Sequence, residues 1–231
     1  MRIGIKQNGI RHMTMTSAPA RKASHKSRYG AMIIAGLCIV LLIAMALDTT
    51  VVRIGSSQDA RKAGFSPAAY GKEEFPKVQA AVEKRAVDAV TLAAAIQKDQ
   101  SAAAKQYGVD ATMGPEMSVK FTGVVGKGES GVYDVKIPNL PDGIRVRVQT
   151  GPAVNGTDLR DAIGTIKFGQ FKNQIEYQNA GAALNDELKK EVLSKVDTSK
   201  LTGKTISVVG AFLLINPKNW FVTPVKLSVE K

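Results

Sequence analysis

Met117–Thr150 reads MSVKFTGVVGKGESGVYDVKIPNLPDGIRVRVQT, and its apolar residues recur every second position. That period marks half-buried strands. Three strands are expected: Val119–Val125, Gly131–Ile137 and Ile144–Thr150. In the third, Val146 and Val148 face away from Arg145 and Arg147. Gly126–Gly131 and Pro141-Asp142-Gly143 supply turn chemistry between the strands. Further on, Asn179–Val196 repeats apolar residues at helical spacing, with Ala183, Leu184, Leu188, Val192 and Val196 on one face. Two more strands follow, Thr205–Phe212 and Phe221–Val229, and Pro224 places the last at an edge or a bulge. Three strands, a helix and two strands is the order of an OB-like five-stranded β-barrel.

Upstream, the period is helical. The segment 59–110 is expected to form a small helical subdomain and 111–231 the OB-like β-domain, an α+β chain overall. Ser66-Pro67 is a helix start: a capping hydroxyl before proline at the first helical position. Gly71 and Pro76 are expected to interrupt this helix, leaving a longer one over Glu73–Arg85 with Phe75, Val78, Val82 and Ala86 inward. A second helix covers Ala89–Lys98, with Val90, Ala93, Ala94 and Ile96 inward. A short third, Ser101–Tyr107, closes at Gly108.

Before these lies Gly30–Leu47, GAMIIAGLCIVLLIAMAL, 18 residues without charge or proline. As a helix it extends about 27 Å, close to the ~30 Å bilayer core. Seven of the 32 basic residues precede it in Met1–Tyr29, which has no acidic residue. The positive-inside rule therefore leaves the tail in the cytoplasm and exports the bulk. The expected organisation is a disordered basic tail (1–29), a transmembrane signal anchor (30–47) and a linker (48–58). The location is the inner membrane, with the bulk in the periplasm. Two other fates stay open: cleavage after Ala44-Met45-Ala46, and lipid attachment at Cys38, which Leu37 in place of a small residue disfavours.

The 25 basic residues beyond the tail face 20 acidic ones, an ordinary surface balance. Nucleic acid is not an expected partner. The two histidines (His12, His25) and the one cysteine (Cys38) all precede residue 48, so a Ser-His-Asp or Cys-His site in the exported part is excluded. No cofactor and no metal site are expected. Gly126–Gly131 matches G-x-G-x-x-G, but a strand and not a helix follows it, so it reads as a hairpin loop.

The polar stretch Gly151–Ala162 and the amide- and aromatic-rich Phe168–Asn179 leave two readings open, an internal network and a polar ligand or partner site. The candidate residues are Asn155, Thr157, Arg160, Asp161, Asn173, Gln174 and Asn179. An enzyme here needs two carboxylates facing each other across a cleft, drawn from Asp134, Asp158, Asp161 and Glu176.

The run GPAVNGTDLRDAIGTIKFGQFKNQIEYQNAGAALN (151–185), GKTISVVGAF (203–212) and NPKNWFVTPVKLSV (216–229) resemble a bacterial family of unknown function, DUF family 2291, whose members are described as predicted periplasmic lipoproteins. The resemblance spans 33–229. It implies a helical subdomain with an OB-like domain, and genes beside those of ribose-type sugar ABC transporters. The implied role is a non-enzymatic accessory or binding module in solute uptake. Its partners are an ABC transporter subunit or a periplasmic solute-binding protein. A purely structural tether is the remaining alternative.

Overall fold

The structure, a computed structural model, describes residues 26–48 and 64–230. The chain forms two compact units, Met1–Asp59 and Ala60–Lys231. Most of the expected tail (1–25) and linker (49–58) lies outside the described residues.

The described part of the first unit is one helix, α1 (Lys26–Asp48). It begins four residues before the apolar run. Its described side chains are exposed all round: Met32, Ile33, Leu37 and Leu42 each show about two thirds of their surface. The side chains of residues 26–28, 31, 47 and 48 lie outside the described set. Among the described residues no helix is long and apolar enough to cross a membrane.

The second unit carries α2 (Pro67–Arg85), β1 (Val87–Asp88), α3 (Ala89–Lys98), α4 (Gln100–Tyr107), β2 (Gly108–Ala111), β3 (Gly114–Glu129), β4 (Val132–Lys136), β5 (Arg145–Gln149), α5 (Asp158–Asp161), α6 (Gln174–Glu191), β6 (Thr205–Leu213) and β7 (Asn219–Val229). The strands pair in the order β3-β4-β5-β7-β6, and β6 returns to β3. The circuit is closed by β3. Its residues 116–124 pair with β6, and its far end, 124–129, pairs with β4. β5 and β7 run parallel, and the other neighbours in the circuit run antiparallel. All five expected strands are present. Two short ones add to them: β1 pairs parallel with β3, and β2 forms a hairpin with its start.

Inside the circuit, Trp220 stacks on Phe212 at 4.8 Å between ring centroids. Its indole N–H donates to the Pro217 carbonyl at 3.0 Å, so the largest buried side chain leaves no donor unpaired. Phe75, Leu92, Leu184 and Leu188 join the same core, which is therefore shared by the helices and the sheet. Pro224 falls where the β6–β7 register shifts, opposite Gly210. The missing proline N–H interrupts the ladder there.

Helix starts follow their caps. Ser66 Oγ accepts from Ala69 N–H, Asp88 Oδ1 from Val90 and Thr91, Asp99 Oδ1 from Ala102, and Asn173 Oδ1 from Glu176. The last of these starts α6 five residues before the expected Asn179. The expected break near Gly71 and Pro76 does not occur, and α2 runs unbroken through both. Packing overrides propensity here, because Gly71 lies against α6. On α3 the inward face is Ala89, Leu92, Ala93 and Ile96, while Ala94 is exposed and Val90 half-buried. The large Leu92 turns the helix from its expected rotation.

A Cβ on Gly71 would stand 2.6 Å from the Ala183 carbonyl oxygen. In an exposed helix Gly→Ala gains about 1 kcal/mol. Against backbone, overpacking costs about 1–3 kcal/mol. Gly71→Ala is therefore expected to lower stability, by about 1 kcal/mol or more, as read by urea denaturation; a stabilised variant would show that α2 and α6 are not in close contact.

Candidate functional site

Alternation along β5 sends Val146 and Val148 into the core and leaves Arg145, Arg147 and Gln149 on the outer face. β7 does the same with Asn219, Phe221 and Thr223, while Trp220 and Val222 point inward. Register sets Asp134, Arg147 and Phe221 in one row across β4, β5 and β7. Over this face lies a groove of about 650 Å³, bounded by Lys127–Ser130 of the β3–β4 hairpin. A neighbouring cavity of about 500 Å³ shares Arg147 and Phe221 and reaches Asn216, Asn219 and Asp158.

The two arginines differ. Arg145 is committed: its Nε and Nη2 donate to Asp134 Oδ1 and Oδ2 at 2.7 and 2.8 Å. That pairing holds the Asp134 carboxyl below its usual range. Arg147 is only partly engaged. Its guanidinium carbon lies 5.1 Å from the Phe221 ring centroid, and Nη2 donates to Asn219 Oδ1 at 3.3 Å. Its Nε is buried without a hydrogen-bond partner. A buried donor left unpaired costs about 1–3 kcal/mol. An acceptor brought in by a bound molecule would recover it.

A polar network closes one end of the groove. Thr223 Oγ1 donates to Asp158 Oδ2 and accepts from Gln149 Nε2 at 2.8 Å. Gln149 also brackets Asn155, donating to its carbonyl and accepting from its N–H, both at 3.1 Å. Behind Asp158 stands Glu116 of β3, 2% exposed, with Oε2 unpaired. Burial pushes the Glu116 carboxyl up to about 9, and repulsion from Asp158 and Asp161 adds to this while Arg160 opposes it. Burial likewise raises Asp158 to about 6, against the lowering effect of the Thr223 hydrogen bond.

Of the seven residues expected to form a polar site, Asn155, Thr157, Arg160, Asp161 and Asn173 have structural partners. Arg160 donates to both Asp161 oxygens at 2.8 and 2.9 Å and lies 3.7 Å over the Tyr177 ring. Both Arg160 and Asp161 are nearly buried. Thr157 precedes α5, and its carbonyl accepts from Asp161 N–H at 3.0 Å. Asn155 braces Gln149 through its backbone. Asn173 caps α6, Gln174 opens that helix exposed, and Asn179 lies half-buried farther along it. Arg160 and Asp161 come together with Tyr177, and Asn155 joins the Gln149 bracket. These contacts hold the crossover between β5 and α6, and the groove beside it is lined instead by Arg147, Phe221, Asn216, Asn219 and Asp158. The sequence signal for these was slight: Arg147 reads as a solvated strand cation and Phe221 as core. Among the described residues no three His, Cys, Asp or Glu side chains converge to hold a metal.

The strand order, the parallel β5–β7 pair and the helix between β5 and β6 define an OB-fold protein with a polar groove on its outer sheet face. A crystal structure of an OB-fold protein from Thermotoga maritima superposes with a TM-score of 0.58 at 18% identity, covering 72% of this chain and 99% of that one. Residues 37–228 match the family DUF2291, described as "Predicted periplasmic lipoprotein", and the chain belongs to that family. Membership places it among periplasmic, membrane-associated proteins of unknown function. No curated protein matches it significantly.

Glu116 and Asp158 both bind a proton more tightly folded than unfolded. Their contribution favours the fold at low pH and declines as pH rises, through about 6 for Asp158 and on toward 9 for Glu116. Glu116→Gln keeps the shape without the charge. It is expected to raise stability by about 1–2 kcal/mol near pH 8 and to flatten the fall between roughly pH 5 and 9. Thermal melts across pH read both; an unchanged profile would refute the assignment.

Proposed function

We propose that this protein is a non-enzymatic binding module, tethered to the inner membrane, that serves ABC-type sugar uptake from the periplasmic side. The observation that carries the binding reading is Arg147. Its buried Nε lacks an acceptor at the place where two cavities meet, over an aromatic ring and beside two asparagines. OB-folds bind oligonucleotides and oligosaccharides on the corresponding sheet face, between the loops that flank it. A guanidinium, a phenyl face and amides suit a hydroxylated ring or a carboxylate-bearing sugar. The periplasmic address, and a surface without a strong positive field, favour sugar over nucleic acid. An ABC transporter subunit or a solute-binding protein is the partner from which such a solute would come.

The anchor is the run Gly30–Leu47, inside the continuous 23-residue helix α1. By sequence that run comes to about 27 Å at about 1.5 Å per residue, near the ~30 Å bilayer core, and its 18 residues without charge suit lipid. The basic tail orients the N-terminus to the cytoplasm. Cys38 lies in the middle of the helix behind Leu37, so the helix and not a lipid serves as the tether.

The paired-carboxylate enzyme has less support. Asp134 is held by Arg145, Asp161 by Arg160, and Glu176 accepts from the Lys172 N–H at 2.9 Å. Neither groove cavity is lined by two of the four candidate acids.

Two outcomes are expected. A panel of neutral and acidic sugars should contain at least one that raises the Tm of the full chain, and Arg147→Ala or Phe221→Ala should weaken that ligand about tenfold or more, each removing an interaction of about 1–2 kcal/mol. A panel with no shift would count against the groove. Cys38→Ser should leave the protein in the membrane fraction after alkaline carbonate washing; release would return the tether to a lipid on Cys38.

A further inference from the structure

A second surface of the compact unit lies where its described residues begin. Phe65 packs on Tyr70 and Phe171 at 5.2 and 5.4 Å between centroids. Phe171 continues to Tyr177 at 5.4 Å, and Tyr177 to Phe168 at 5.7 Å. The rings form one chain of edge and tilted contacts, of the kind favoured by ring quadrupoles. Its outer end is open, because Phe168 is 50% exposed; Ile175, in the first turn of α6, is 68% exposed. Lys167 and Lys172 flank them and are exposed.

Single exposed apolar residues on a soluble surface carry little information. This pair differs in its backing and in its tether. The aromatic chain backs Phe168 through Tyr177, and Lys167 and Lys172 stand close to it in sequence. The same cluster starts at Phe65, and only fifteen residues, 49–63, separate α1 from Gly64. Fully extended, fifteen residues span about 50 Å. A surface held within that reach of a bilayer meets it at high effective concentration, so weak contacts suffice. Aromatic rings beside lysines suit the headgroup zone: the rings enter the interface and the ammonium groups meet anionic phosphates.

We infer that Phe168 and Ile175, with Lys167 and Lys172, form a contact with the phospholipid surface of the membrane that carries the tether. The inference rests on the reading of 30–47 as an anchor. Its consequence is a domain held in a preferred orientation to the bilayer.

The test uses the full chain in nanodiscs of phosphatidylethanolamine and phosphatidylglycerol. In a Cys38→Ser background, Ile175→Cys or, as a control, Asp142→Cys carries a bimane label. Nitroxide placed at the lipid headgroup is expected to quench the label at 175 severalfold more than at 142. Phe168→Ser or Lys172→Glu should reduce that difference. Equal quenching at the two positions overturns the contact and leaves the anchor standing, provided the chain still co-elutes with the disc. Strong quenching at 175 that neither substitution reduces also overturns it, since the named side chains would then not be the contact. Failure of the unlabelled chain to co-elute overturns the anchor, and the contact with it.

Discussion

The molecule depends on one strand doing two jobs. β3 is 16 residues long, and its backbone groups are shared between β6 over one stretch and β4 over the next. Without that continuity the sheet would have two open edges, each a row of unpaired N–H and C=O groups. With it, every strand of the circuit has two neighbours. The side-chain period of two then becomes binding on all of them, since a slip of one residue would turn Trp220, Val146 and Val208 outward together. The outer face of β4–β5–β7 is a by-product of the same register. Arg147 and Phe221 stand side by side because Val148 and Val222 must be inside.

The polar region beside the groove shows where packing has been given up. Gln149, Thr223, Asn155 and Asp158 satisfy one another through a chain of hydrogen bonds. Arg160 and Asp161 form a nearly buried ion pair under the Tyr177 ring. Glu116 is the exception: a carboxyl oxygen held away from water with no partner. Buried polar networks specify a structure when complete and weaken it when incomplete. The incomplete members, Glu116 Oε2 and Arg147 Nε, are the two buried side-chain atoms without partners among the described residues, and Arg147 lines the groove. Retaining such groups costs stability, which is how binding surfaces commonly differ from the rest of a fold.

Alternating and helical periods were enough to recover the five strands and the strand–helix–strand order, because burial on one face writes itself into neighbouring residues. The apolar run at 30–47 and the absence of His and Cys beyond residue 48 were equally plain in the composition. Where sequence and structure differ, the deciding atoms are distant in sequence. Gly71 looks like a helix break, yet it is the point where α2 meets the Ala183 carbonyl. β1 is two residues long and exists because Val119 and Lys120 lie beside it. Arg160 and Asp161, open from sequence to a network or a ligand site, pair with each other under the Tyr177 ring.

What the sequence determined by itself was therefore local: strand and helix identity, turns, caps and the apolar segment, each set by residues within a few positions. Only the tertiary structure decided which polar groups are spent and which are left over. Asp134 satisfies Arg145, while the partner that Arg147 Nε lacks would have to come from outside the chain. Hydrogen-bond satisfaction is a property of three-dimensional neighbours, and β5 finds half of its neighbours on a strand that enters some seventy residues later.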